Sequence, residues 1–207
     1  MAAHESLYPL IVPEVLGCPT PTIDSAINRA AADFCRRSGV WRADLDPVVL
    51  VADQWRYTLT LPADAVLVSI DAARAGLRLL GPVSDPHGVL PWGQEPGEPM
   101  RYALSSDESA ILVHPVPQGA DSLKVSVVLA PTLGAATLPD LLVNRYYEGV
   151  AEGAKAILRR MPGQPWTDVN AAQLAALTAR QKADEARVER EWGAARSLSV
   201  TPRAFGG

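Results

Sequence analysis

Cysteine and histidine are both scarce in this sequence. Its 207 residues include two cysteines, Cys18 and Cys35, and three histidines. Two cysteines are too few for a disulfide framework, and their spacing matches no metal-binding pattern. We therefore expect neither a disulfide scaffold nor a structural metal.

Long apolar runs are also missing. No stretch approaches the roughly 18 consecutive apolar residues that a membrane span needs. Residues 1–20 lack the basic start and the continuous apolar segment of a secretion signal. The sequence therefore predicts a cytosolic protein.

The chain has no excess of positive charge. Its formal net charge is −4, whereas sequence-specific duplex binding is usually marked by a basic domain. From residue 138 onward 10 basic residues stand against 8 acidic ones, and residues 1–137 hold 9 against 15. The acidity lies in the first two thirds, and we expect no binding of duplex DNA with sequence preference.

Signatures of catalysis are absent too. The sequence contains no Gly-rich phosphate-binding loop, no nucleophile elbow and no zinc-ligand spacing. His4, His87 and His114 fall on a predicted arm, a loop and a strand end, without a partner that would position them for catalysis. We expect no catalytic residue, cofactor or metal site. Two alternatives stay open: a small cytosolic hydrolase or accessory enzyme that uses Cys35 or His114, and a soluble binding module with a helical arm.

The composition of the sequence is typical of folded proteins, because 48% of its residues are hydrophobic and 20% are charged. Its patterns predict an α+β fold. An extended arm covers 1–20, and a helical domain is built from 21–45 and 132–198. An antiparallel β-sandwich-like module is inserted at 46–131, and 199–207 form a flexible tail.

The first helix follows a proline-rich arm. Pro9, Pro13 and Pro19 argue against a long helix there, although the arm is apolar enough to lie on the body. Apolar positions from Ile23 to Cys35 then recur at helical spacing, and Gly39 suits a left-handed C-terminal cap. Because it continues this apolar stripe, Cys35 is interpreted as a small core residue.

Short alternating runs separated by Pro, Gly and Asp follow from Asp46 to Pro131, which predicts five or six antiparallel strands. The segment from Gly81 to Pro99 holds too many Pro and Gly residues for either regular state. We expect it to be a long loop with Trp92 near its middle.

After Pro131 the pattern is helical again and predicts an antiparallel hairpin. One helix runs from about Leu138 to Met161, and the turn "MPGQPW" precedes a second, longer helix. Trp166 is expected to pack into this hairpin. Four residues at the start of the last helix are expected to pack on the preceding one: Ala171, Leu174, Ala175 and Thr178. From Arg180 onward the last helix is mostly charged, and we expect it to leave the body.

Four stretches resemble the head-to-tail adaptor proteins of tailed bacteriophages, in the podophage and related neck families. They are "RAAADFCRRSGVWR" (Arg29 to Arg42), "LDPVVLV", "YTLTLPADA" and "LPDLLVNRYYEGVAEGAKAILRRMPGQPWTD" (Leu138 to Asp168). They cover the helices and the first strands. Residues 80–117 carry no such likeness.

The resemblance implies a virion structural protein, made in the host cytoplasm and located at the neck. Such adaptors form a ring, typically of twelve copies, beneath the portal protein, and they link it to a downstream tail or nozzle protein. Genomic DNA passes through the ring without specific binding. No cofactor and no membrane are implied.

The resemblance also places the C-terminal segment at the portal and the β module on the tail side. This segment keeps apolar residues that cannot fold on themselves and are expected to order against a partner. The predicted portal contacts are Val188, Trp192, Arg196, Leu198 and Phe205. Trp92 is the predicted tail-side contact.

Overall fold

The computed structural model of the chain describes residues 3–83 and 92–192. Within these ranges five α-helices and two β-sheets confirm the predicted mixture of α and β structure. The helices are α1 (Tyr8–Ile11), α2 (Thr20–Ser38), α3 (Asp140–Asn144), α4 (Tyr147–Arg159) and α5 (Val169–Trp192). The strands are β1 (Arg42–Asp44), β2 (Val48–Leu50), β3 (Arg56–Thr58), β4 (Ala65–Ala75), β5 (Arg78–Leu79), β6 (Gly81–Pro82), β7 (Arg101–Leu104), β8 (Ala110–His114) and β9 (Asp121–Pro131).

The N-terminal arm is helical rather than extended, which corrects the prediction for residues 1–20. Two 3-10 turns, His4–Leu7 and Val12–Glu14, flank α1. Pro9 and Pro13 stand in the first turn of their elements, where a missing N–H costs no helical hydrogen bond. The arm lies on the body as expected, because its apolar side chains are buried in the helical core: Leu7, Ile11 and Val15.

The first long helix, α2, ends as its sequence predicts. Gly39 follows it with φ of 62°, and its N–H donates to the carbonyl of Cys35 at 2.8 Å. A left-handed residue at this position is the common helix terminator. The buried face of α2 includes Phe34 and Cys35, which confirms the amphipathic pattern.

Two sheets make up the β part of the chain. In the first, β9 pairs with β1, β2 and β4, and β5 extends the sheet beyond β4. The second has the order β3-β8-β7-β6. Its β6–β7 pair is parallel, an exception to the antiparallel prediction. Since β6 begins at Gly81, the segment predicted as a loop starts with a short strand.

The hydrophobic side chains form two cores. One is shared by both sheets and includes Leu67 and Val127 from the first sheet and Tyr57 and Ile111 from the second. The other lies among the arm, α2, α4 and α5. Strand β9 joins them, because its Ala130 belongs to the helical core while Val127 belongs to the sheet core.

The first C-terminal helix is broken where one continuous helix was predicted. Helix α3 ends at Asn144, and α4 begins at Tyr147. Gly153 lets α4 approach α2 closely, since a Cβ on it would lie 3.0 Å from the Cβ of Ala30. Trp166 is partly buried against the helical core, which agrees with its expected packing.

Helix α5 packs through alanines rather than leucines. Its buried residues are Ala172, Ala175, Ala183 and Ala186. Leu174 is 68% exposed, so the prediction that it packs on the preceding helix is wrong. Small side chains allow two helix backbones to approach closely. The alanine face of α5 is therefore the face that packs against α4.

Candidate functional site

The end of α5 carries two of the predicted portal contacts. Val188 is 48% exposed and Trp192 is 52% exposed, four residues apart on the same helix face. Arg196, Leu198 and Phe205 lie outside the described residues. The described part of the site is therefore an exposed apolar pair on the last turns of a helix.

These last turns are held on the body, which corrects the expectation that the second half of α5 leaves it. Glu189 accepts a hydrogen bond from Arg145 and another, at 3.3 Å, from the hydroxyl of Tyr146. Lys182 pairs with Glu148 of α4 at 3.1 Å. The guanidinium of Arg190 lies against Gly39, where a Cβ would collide with it. The apolar pair at the helix end thus has a fixed position.

Tyr146 is a titratable residue among the contacts that hold the end of α5 on the body. Burial raises the pKa of its hydroxyl, Arg145 opposes that shift, and Glu189 adds to it. The ring also packs on Phe34, with centroids 5.5 Å apart. Tyr146 therefore stays a neutral hydrogen-bond donor that links α4, α5 and α2.

Sequence reasoning missed a groove between α2, α4 and α5, which we call the arginine-rimmed groove. Its volume is about 530 Å³, and its rim holds Arg29, Arg37, Arg160 and Arg180. Arg37 pairs with Asp33 at 2.8 Å. The other three arginines make no ion pair within the part of the chain that the structure describes. The floor is formed by Ala30, Phe34, Gly149, Gly153, Ala179 and Ala183.

A second surface that the sequence interpretation missed is the outer stripe of α5, defined as Leu174, Leu177, Gln181 and Asp184. Leu174 and Leu177 are 68% and 61% exposed. Steps of three and four residues place all four side chains on one helix face. Two large exposed leucines one turn apart, in the uncharged part of α5 that precedes Arg180, are typical of an interaction surface.

Trp92 lies beside the second sheet. Its ring meets the imidazole of His114 edge to face, with centroids 5.8 Å apart. His114 is buried on β8, and its Nε2 lies 3.4 Å from a carboxylate oxygen of Glu95. This segment is therefore held to the sheet, and Trp92 is only partly exposed as a tail-side contact.

Cys35 is confirmed as a core residue. Its side chain is buried in the helical core, and burial raises the pKa of its thiol to about 12. A reactive cysteine needs a stabilised thiolate in an accessible place. This environment disfavours the enzyme alternative that uses Cys35.

The described part of the chain offers neither a metal-binding cluster nor a membrane-spanning helix. Residues 3–83 and 92–192 contain no group of three or more His, Cys, Asp or Glu side chains that could hold a metal ion. None of the helices in those ranges is both long and apolar enough to cross a membrane.

Comparison with known proteins gives one family match. The family described as SU10 adaptor protein matches residues 12–203, which is most of the chain. No curated protein matches the chain closely enough to count as a relative. The matched range includes α2, both sheets, α4, α5 and the groove between the three long helices. On this match, the chain belongs to the SU10 adaptor protein family of bacteriophage adaptors.

Proposed function

We propose that this chain is a head-to-tail adaptor of the podophage type that assembles as a ring beneath the portal. It joins the portal protein to a downstream tail or nozzle protein and forms part of the DNA exit channel. The observation that carries the proposal is the exposed pair Val188 and Trp192, fixed at the end of a helix that is anchored on the body.

Family membership supports the coarse part of this function. A phage adaptor associates with other head and tail proteins and is located in the virion, and adaptors of this kind are typically not enzymes. The ring, its twelve copies and the portal as partner are our inferences for this chain.

The portal contact is argued from the chemistry of the helix end. Tryptophan buries a large area with few rotatable bonds, which makes it a frequent anchor of protein interfaces. Trp192 leaves half of its surface uncovered, although the helix turn that carries it is held by Glu189 and Arg190. A preorganised anchor loses little entropy on binding. We therefore assign Trp192, with Val188 beside it, to the portal, and residues 193–207 to the same interface.

The charge of the chain suits a DNA channel. A net charge of −4 gives DNA no general attraction to the ring, so the genome passes without being held. The β module and the Trp92 segment then face the next tail component.

The test is binding of the purified protein to portal rings, measured by co-sedimentation. The truncation starts at residue 193, so that the shortened chain keeps the contacts of Glu189 with Arg145 and Tyr146. We expect removal of 193–207, or the pair Val188→Ser and Trp192→Ser, to weaken portal binding at least about tenfold while the protein stays folded. The matched control is Leu77→Ser, a fully exposed leucine between β4 and β5. Co-sedimentation at full-length affinity by both altered proteins would overturn the portal assignment.

A further inference from the structure

We propose that the arginine-rimmed groove of one copy receives the outer stripe of α5 from a neighbouring copy. This inference rests on the proposed ring and gives it a contact surface. The contact is heterologous: each copy offers its stripe on one side and its groove on the other. Interfaces of this kind close into rings when the rotation between copies allows it.

The charges of the two surfaces are complementary. The rim of the groove carries Arg29, Arg160 and Arg180 without carboxylate partners in the described chain. The stripe carries Asp184, whose carboxylate likewise has no ion-pair partner among the described residues, and Glu185 stands next to it. Opposite charges across an interface steer association and fix its register.

The shapes of the two surfaces are complementary as well. The groove has an open volume of about 530 Å³, and its floor includes Gly153 and Ala179, which are small and partly exposed. The stripe presents Leu174 and Leu177, each more than 60% exposed. Leucine side chains that enter a floor of glycine and alanine bury apolar area on both partners.

Both surfaces lie at the same height along α5. The stripe spans residues 174–184, and the α5 side of the groove spans 176–183. At about 100° per residue the two faces point roughly 130° apart, so one copy cannot place its stripe in its own groove. Copies related by rotation about an axis parallel to α5 can do so without any shift along that axis. This is the requirement for a closed ring.

Other occupants fit the groove less well. The chain's own C-terminal sequence, "GAARSLSVTPRAFGG", contains two arginines and no acidic residue, and the arginine rim would repel it. Nucleic acid would be attracted by the rim. It would then leave the apolar floor uncovered, because phosphate contacts are made at the rim alone.

Sedimentation velocity of the purified full chain, without portal, tests the proposal. The groove variant is Arg29→Glu with Arg180→Glu, and the stripe variant is Gln181→Lys with Asp184→Lys. We expect each variant alone to self-associate at least about tenfold more weakly than the unaltered chain, because like charges then face each other. An equal mixture of the two variants restores association, since each altered surface meets its opposite. The matched control is Arg74→Glu with Lys124→Glu, an exposed cross-strand pair in the first sheet, which leaves association unchanged.

Three outcomes would overturn the proposal: an unaltered chain that stays monomeric up to its solubility limit, variants that associate normally, or a mixture that does not recover. A groove variant that associates normally but loses non-specific retention of DNA would assign the groove to phosphate binding instead. Because portal is absent from this assay, failure here is distinct from failure of the portal assignment.

Discussion

At the scale of the residue, Gly149 determines how closely three helices meet. A Cβ at this position would lie 2.5 Å from the Cε2 of Phe34 and 3.1 Å from the Cβ of Lys182. Phe34 is buried and packs on Tyr146, so its ring cannot move freely. The absence of a side chain at Gly149 is therefore a packing requirement of the α2, α4 and α5 contact.

We predict that Gly149→Ala destabilises the protein by about 1–2 kcal/mol, measured by denaturant unfolding. Overpacking costs about 1–3 kcal/mol, and the better helix propensity of alanine offsets up to about 1 kcal/mol of it. The matched control is Gly134→Ala, because a Cβ there meets no atom within 4 Å. Equal stability of the Gly149→Ala variant and the unaltered chain would show that the three helices are free to separate.

Predictions for single residues are correct where one helix determines the environment of the residue. Burial of Cys35 follows from its place on the apolar stripe of α2, and Gly39 ends that helix as its position predicts. Leu174 shows the limit of such arguments. A leucine is more apolar than an alanine, yet only the alanine face lets α5 approach α4. Hydrophobicity alone cannot decide which face of a helix is buried when a close contact needs small side chains.

At the scale of the element, the N-terminal arm is held by an ion-pair cluster. The ammonium of Lys155, whose side chain is 9% exposed, donates to Glu14 at 2.6 Å and to Glu152 at 2.9 Å. Arg159 also pairs with Glu14. The hydrogen bond from Lys155 is the main reason that the pKa of Glu14 lies below its ordinary value of 4.5. The arm is thus linked to α4 by charge as well as by its buried apolar residues.

We predict that Glu14→Gln lowers the free energy of unfolding at pH 7 by on the order of 1 kcal/mol, since Glu14 is partly exposed and its pairs are screened. A carboxyl with a lowered folded pKa stabilises the fold above its unfolded pKa and loses that contribution as the pH falls through the folded value. The difference between the two proteins should therefore shrink as the pH falls below about 4.5. Urea unfolding at several pH values measures it. Glu5→Gln, elsewhere on the arm, is the control, and a difference that persists at low pH would contradict the ion-pair explanation.

The helices also show why element boundaries were harder to predict than their existence. The apolar residues from Leu138 to Met161 recur at a single helical spacing throughout. The helix is nevertheless interrupted between α3 and α4, at Arg145 and Tyr146. Both residues turn toward Glu189 of α5, more than forty positions later in the chain. A local pattern contains no information about such a distant partner. The helical arm was missed for a different reason, because its prolines fit the first turns of short elements.

At the scale of the whole molecule, the surfaces proposed for binding combine parts that are distant in sequence. The arginine-rimmed groove takes Arg29 from α2, Arg160 from the end of α4 and Arg180 from α5. No spacing rule joins these positions, so the groove could not be predicted before the fold was known. The exposed pair at the end of α5 could be predicted, because Val188 and Trp192 belong to one helix.

The measurement that tests the account most directly is cryo-microscopy of the virion neck. We predict a ring of this chain directly beneath the portal, with Trp192 and the end of α5 against the portal. The outer stripe of each copy should lie in the arginine-rimmed groove of the next, and the β module should face the tail. A neck in which this chain is absent from the portal junction, or in which the end of α5 points away from the portal, would contradict the account.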